Sequence, residues 1–268
     1  MAEAGFKNLR AQRMSFAPPS DESITRAVIE EVPVAFEYDG FGYAVMMATP
    51  TDLEDFAVGF TLSERLVASK DEIADIQLAE VEQGRVLRIA LKDAPRADLQ
   101  QRVRLRVAEG GCGLCGVETI EQALRPLPQL SASAPIAREA IFAALQAIGD
   151  NQSLGRATGA AHAAAFCSIA GAVELIREDV GRHNALDKLI GAAALAEIDL
   201  SAGFLLLTAR CSYELVEKAA VAGCPVLVTI SAPTTLAVER AKSCGMTLIS
   251  LAREDSMLCF SDGAGKIG

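Results

Sequence analysis

Two cysteines stand three positions apart in GGCGLCG, residues 110–116, with glycine on nearly every side. Thiols at this spacing suit three chemistries: half of a zinc site, a dithiol redox pair, or a place where sulfur is carried. A structural zinc site needs four nitrogen or sulfur ligands, commonly two such pairs or one pair with histidines at fixed spacing. Here Cys112 and Cys115 form one pair, and the two histidines, His162 and His183, are distant from it and from each other. A dithiol redox pair sits at a helix start just after a strand, where the helix N-terminus favours the thiolate. VRLRVAEGGCGLCGVETIEQAL offers strand, loop, thiol pair and a helix from Val117. The four glycines of the loop predict a segment able to swing, which suits a thiol that must visit two partners. The bland alternative is a surface loop whose thiols do nothing.

REDVGRHNALDK, residues 177–188, is the other chemically dense stretch, and it falls at a strand-to-helix turn. A solvated charged loop would have this composition. So would a phosphate site, because a helix N-terminus presents free N–H groups and a positive dipole beside Gly181, Arg182, His183 and Asn184. Thr158, Gly159 and His162 are expected at the same mouth, although a single histidine can equally be a satisfied core residue.

The elements that must position these groups follow from hydrophobic pattern. Residues 1–25 read as a flexible arm ending near Ala17-Pro18-Pro19-Ser20. Residues 26–124 read as an antiparallel α+β domain that ends in the thiol loop, 125–135 as a linker, and 136–268 as a second domain. Asp39-Gly40 between apolar runs predicts a hairpin. Thr51 with Glu54 reads as a capping box, and Leu53, Phe56, Ala57 and Phe60 then share one helix face. A second hairpin is expected about Gln83-Gly84, and RVRLRVA (102–108) is a further strand. DNQSLGRATGA (150–160) reads as a loop. Beyond it, short apolar strands alternate with amphipathic helices, which predicts a parallel sheet covered on both faces. Gly223 and Gly245 fall at helix ends. Ligands of such sheets bind beyond the carboxyl ends of the strands, here Thr208-Ala209-Arg210, Ser231-Ala232-Pro233 and Leu251-Ala252-Arg253.

The chain has 268 residues, 51% hydrophobic and 22% charged, and a formal net charge of −10. That is enough apolar material for a large core. The acidic balance, without basic stretches interleaved with aromatics, argues against nucleic acid and anionic membranes as partners. Neither a secretory signal nor a membrane-length apolar run is present. Seven scattered cysteines, an odd number, fit a cytoplasmic protein with reduced thiols.

GGCGLCG, TGAAHAAAF, REDVGRHNALDKLIG and CSYELVEKAAVAGCPVLVTISAPTTLAVERAKSCGMTL together resemble the FdhD/NarQ family, the formate dehydrogenase accessory sulfurtransferases. The likeness runs from about Val34 to Ser250. It implies a homodimeric sulfurtransferase that takes persulfide sulfur from a cysteine desulfurase. The sulfur would pass to the molybdenum or tungsten bis-guanine-dinucleotide cofactor of a formate dehydrogenase, with GDP as a mimic of the nucleotide end. The family's cysteine falls on Cys112, with Cys115 beside it. Its cofactor-binding stretch falls on Leu251, Ala252, Arg253, Glu254, Asp255 and Ser256, and the strand-end mouth adds Arg210 and Ser231. The resemblance also implies a cytidine-deaminase-like C-terminal domain. Ala185 stands where a deaminase has its glutamate, and TARCSYE lacks the second metal-binding cysteine, so no zinc is expected. Glu254-Asp255 departs from the family pattern, as does the missing Tyr-x-x-Pro ending. Two rivals stay open: a chaperone that delivers the cofactor without moving sulfur, and a dithiol oxidoreductase.

Overall fold

The computed structural model describes residues 5–92, 124–131, 134–263 and 267. Cys112, Cys115, the expected strand at 102–108 and the expected helix from Val117 lie outside the described residues.

Six strands form the larger sheet: β7 (His162–Ser168), β8 (Val173–Asp179), β9 (Gly203–Leu207), β10 (Val226–Thr229), β11 (Thr247–Ser250) and β12 (Leu258–Ser261), in the spatial order β12-β11-β10-β9-β7-β8. The expected parallel arrangement is confined to its centre, where Leu227 of β10 faces Leu205 of β9 and Leu248 of β11. β7 is antiparallel to both β9 and β8, and β12 is antiparallel to β11. The sheet is therefore mixed. Only four residues join β7 to β8, too few for the crossover that a parallel pair requires.

Strand alternation sends side chains to two covered faces. Ala164, Phe166, Leu205, Leu207, Leu227 and Leu248 pack against three helices, α4 (Arg182–Leu195), α5 (Tyr213–Val221) and α6 (Thr235–Ser243). Ala165, Cys167, Phe204, Leu206 and Val228 pack against Ile141, Ala144 and Ile148 of α2 (Arg138–Asn151). Gly223 and Gly245 end α5 and α6 with φ of 78° and 74°, as the sequence pattern predicts. Residues 150–160, expected as a loop, contain the short helix α3 (Ser153–Thr158). It is capped from outside its own sequence: the buried Glu178 carboxylate accepts from the Leu154 and Gly155 amides at 2.8 and 2.7 Å.

The smaller sheet runs β4-β3-β6-β5, with β3 Val32–Tyr38, β4 Phe41–Ala48, β5 Ile73–Val81 and β6 Gly84–Leu91. Asp39 and Gly40, with φ of 49° and 84°, turn β3 into β4. One face buries Val34, Phe36, Tyr38, Leu87 and Ile89 against Phe56, Ala57 and Phe60 of α1 (Leu53–Ser63). Phe36 meets Phe56 edge-on, with centroids 5.0 Å apart. The expected capping box at Thr51 does not form. The N-cap is Asp52 in a left-handed conformation, and its side chain makes no cap bond.

α1 and α4 join the two sheets by crossing at glycine. A β-carbon on Gly59 would lie 1.7 Å from the Asp187 carbonyl oxygen. Beside the crossing, the buried Lys188 ammonium donates to the Thr49 carbonyl at 2.9 Å and pairs with Asp179 at 2.7 Å.

Two further expectations are corrected. The flexible arm is a ribbon, in which β1 (Phe6–Phe16) pairs with β2 (Pro19–Ile29) over their full length. Exposure on both faces erases the apolar alternation by which a strand is read. The linker segment lies against the core, where Leu127 and Leu130 pack and the Leu130 amide bonds the Cys244 carbonyl at 2.8 Å. Among the described residues no helix is long and apolar enough to cross a membrane.

Candidate functional site

A cleft of about 470 Å³ opens beyond the carboxyl ends of β9, β10 and β11. Thr208, Ile230 and Ala252, each just past one of those strands, line it together with Gly159, His162, Arg253 and Glu254. His162 reaches this end of the sheet because β7 is antiparallel, which places its start beside the end of β9. The pairing is close: the Ala163 amide donates to Thr208 Oγ1 at 2.8 Å, and the Thr208 amide donates to the Ala163 carbonyl at 3.0 Å.

His162 is half-buried. Burial lowers its pKa below the ordinary value of 6.5, a hydrogen bond to the Thr208 backbone opposes this, and the nearby Arg182 charge adds to the lowering. Arg182 and His183 begin α4 with Gly181 as N-cap. The Arg182 Nε is buried and has no partner among the described residues. Such a donor costs roughly 1–3 kcal/mol if left unsatisfied, more for a charged group, so its placement favours an anionic acceptor. His183 Nε2 lies 2.9 Å from Glu214 Oε2 and 3.2 Å from Ser212 Oγ, both at the start of α5. The hydrogen bond from His183 is the largest influence on Glu214 and lowers its pKa. Arg210 is exposed on the loop between β9 and α5. The following loops are zipped, with the Cys211 amide donating to Ala232 and the Thr234 amide to the Cys211 carbonyl.

The last stretch turns over the cleft. Leu251 has φ of 53°, and its amide donates to the Ser231 carbonyl at 3.2 Å. The Arg253 guanidinium bonds the Ile230 carbonyl, and its amide bonds the Ser256 carbonyl at 2.8 Å. Arg253, Glu254, Asp255 and Ser256 are exposed, and Asp255 Oδ1 accepts from Ser256 Oγ at 3.0 Å.

The structure thus brings Gly159, His162, Ala252, Arg253 and Glu254 to one cleft, and sets Arg182 electrostatically close to His162. Two residues of the expected mouth are engaged elsewhere. Asn184 is buried, and its amide group donates to Asp179 at 2.9 Å and to the Met47 carbonyl at 2.8 Å. Thr158 is buried too, with its hydroxyl bonded to the Leu154 carbonyl at 2.7 Å. Gln152 lines the cleft without having been singled out, because it lies in the stretch read as loop. Glu214 and Ser212 were likewise missed, since their pairing with His183 depends on two helix starts meeting in space.

Cys167, Cys211 and Cys224 are buried, and burial pushes each thiol up to about 12. They remain protonated near neutrality and are poor nucleophiles. Among the described residues, no group of three or more His, Cys, Asp or Glu is arranged to hold a metal ion.

Comparison with known proteins supplies a family. The model of the FdhD/NarQ family matches residues 29–267. A protein of Agrobacterium fabrum named sulfur carrier protein FdhD is 45% identical over 260 residues, covering 97% of this chain and 95% of its own. A protein of the same name from Xanthomonas euvesicatoria is 49% identical over 234 residues, covering 87% of this chain and 83% of its own. A solved structure from Desulfotalea psychrophila, assigned as a formate dehydrogenase accessory protein, superposes with a TM-score of 0.74 over 96% of both chains. At 21% identity, that likeness concerns the fold alone.

Proposed function

The chain belongs to the FdhD/NarQ family, and from that premise we propose that it is a sulfur carrier serving formate dehydrogenase maturation. In this reading the Cys112 thiolate attacks the outer sulfur of a desulfurase persulfide. The desulfurase thiolate leaves, and the persulfide now stands on Cys112. Cys115 is its neighbour on the loop. The acceptor is the metal bis-guanine-dinucleotide cofactor, handled as substrate, with its nucleotide end at the strand-end cleft.

The observation that carries the cleft assignment is the buried Arg182 Nε at the start of α4, which has no partner among the described residues. Together with the α4 N-terminus, His162 and the exposed Arg210, it offers donors and positive potential to a phosphate. Glu254 bears the opposite charge on the cleft wall. The nucleotide is therefore seated toward Arg182, with Leu251 to Ser256 turning over it. The larger sheet serves as a cytidine-deaminase-like scaffold without its zinc chemistry. Ala185 is a core residue of α4, and Cys211 is a buried, protonated thiol.

The deciding experiment treats the full chain with a cysteine desulfurase and cysteine, then maps mass. One added sulfur on Cys112, absent from Cys112→Ala, is expected. Calorimetry with GDP on the full chain tests the cleft. Arg182→Ala should weaken binding by about 1.5–3 kcal/mol if the guanidinium makes a charge-assisted contact. GDP binding without sulfur uptake would instead identify a cofactor chaperone.

A further inference from the structure

Two helix starts meet at His183. It is the second residue of α4, and its Nε2 lies 2.9 Å from Glu214 Oε2 and 3.2 Å from Ser212 Oγ at the start of α5. Ser212 is the N-cap of α5, a position where a serine hydroxyl ordinarily accepts from its own helix. Its side chain makes no such bond and stands against the imidazole instead. A carboxylate can only accept, and the bond from His183 is the largest influence lowering the Glu214 pKa. Nε2 therefore carries a hydrogen, and any proton the ring gains or loses is held at Nδ1. Nδ1 has no hydrogen-bond partner among the described residues.

The charges around the pair give it a consequence for a ligand. Arg182, beside His183 on α4, acts on both Glu214 and His162. His162 of β7 lines the cleft and also feels His183 and Asp179. Lys218 of α5 acts on Glu214 as well, and Arg210 is exposed on the loop before α5. Asp179 is neutralised by Lys188, and Asp187 by Lys218. Among the described residues Glu214 has only His183 as an ion-pair partner. A bare carboxylate here repels phosphate. Beside a protonated His183 its charge is cancelled, and Nδ1 becomes a further donor. We propose that Glu214, supported by Ser212, is a positioning residue of the nucleotide site, which fixes the His183 ring and couples binding of a nucleoside diphosphate to the proton on Nδ1. The coupling rests on the nucleotide reading of the cleft and adds to it two residues outside the expected mouth. The pair is neutral with the proton and carries one negative charge without it, so affinity falls as pH rises.

Calorimetry with GDP on the full chain, in steps between about pH 5.5 and 8.5, spans the range in which histidines ordinarily change charge. The His183 and Glu214 side chains are 26% and 46% exposed, so substituting either leaves the core filled. Dividing each affinity profile by that of His183→Gln removes the ionisation of the nucleotide and of His162. The wild type is then expected to bind roughly tenfold more tightly at the acid end than at the alkaline end, as one charge-assisted contact gives. Glu214→Gln keeps an acceptor for Nε2 but removes the charge. It should flatten the profile and bind GDP more tightly than the wild type at the alkaline end. Ser212→Ala removes a contact and no charge, and should keep the wild-type shape at weaker affinity. A Glu214→Gln profile parallel to the wild type and weaker throughout is what a structural role gives, and it overturns the proposal. A flat wild-type profile overturns it too. No GDP binding at any pH overturns the cleft reading, and this inference with it.

Discussion

Gly59 and Gly191 face each other backbone to backbone where α1 crosses α4. A β-carbon on Gly191 would fall 1.9 Å from the Asp55 carbonyl oxygen, and one on Gly59 would fall 1.7 Å from that of Asp187. Two opposing effects meet in Gly59→Ala. Alanine gains about 1 kcal/mol of helix propensity, whereas overpacking costs roughly 1–3 kcal/mol and more when the obstructing atoms are backbone. The clash should win, with a net loss of about 2 kcal/mol in urea unfolding. Gly191→Ala should behave alike, and the double variant should be non-additive because both changes spread the same crossing.

Lys188 and Asp179 form the buried ion pair beside that crossing. Lys188→Met leaves the Asp179 carboxylate without its cation, a change that costs roughly 3–5 kcal/mol for a buried pair. Amides from Thr49, Gly181 and Asn184 still donate to it at 3.0, 2.7 and 2.9 Å. The loss should therefore fall near the lower end, about 3 kcal/mol by urea titration. Adding Asp179→Asn should recover part of it.

Much of the architecture was legible in the sequence, and the exceptions share a physical cause. Asp39-Gly40, the α1 core face and the glycines after α5 and α6 are local signals, and they hold. Strand direction leaves no such trace: an antiparallel β7 has the same apolar run as a parallel one, yet its direction brings His162 to the cleft. The charges of residues 177–188 read in sequence as a solvated loop or as a phosphate site about Gly181, Arg182, His183 and Asn184. Burial divides them instead: Arg182 and His183 are half-buried at the start of α4, while Asp179, Asn184 and Lys188 are buried and bond across to the smaller sheet's connection. Glycines at a helix crossing resemble glycines anywhere until the second helix is in place.

Protonation of His162 should leave a mark on acid stability. Its folded pKa lies below 6.5, so the unfolded chain binds the proton first. The stabilisation is fully present above about pH 6.5 and is lost as pH falls through the lowered folded value. His162→Gln should flatten this part of the stability curve relative to wild type while leaving the region above pH 7 parallel. Urea midpoints taken in half-unit pH steps would measure it, and identical slopes below pH 6.5 would count against the assignment.

Thiol labelling should separate the described cysteines. In the native protein a maleimide is expected to modify the exposed Cys259, and to reach Cys167, Cys211, Cys224 and Cys244 only after denaturation. With those thiols silent, sulfur added by a desulfurase can be assigned by peptide mass. Cys112→Ala should abolish both the added sulfur and dehydrogenase activation on coexpression. Cys115→Ala should retain at least part, whereas equal loss from either substitution would favour a dithiol oxidoreductase.

The glycine crossing also decides how the chain can be divided. A cut in residues 125–135 would leave the first fragment with α1 and the second with α4, each a helix whose glycine face fits only the other. The first fragment would keep the Thr49 carbonyl that receives Lys188, and the second would carry the ammonium with Asp179 alone to receive it. Each piece would keep its own apolar cluster but bare the glycine face of its helix. The two sheets are better regarded as halves joined through one crossing, so that each fragment should be less stable alone than beside its complement.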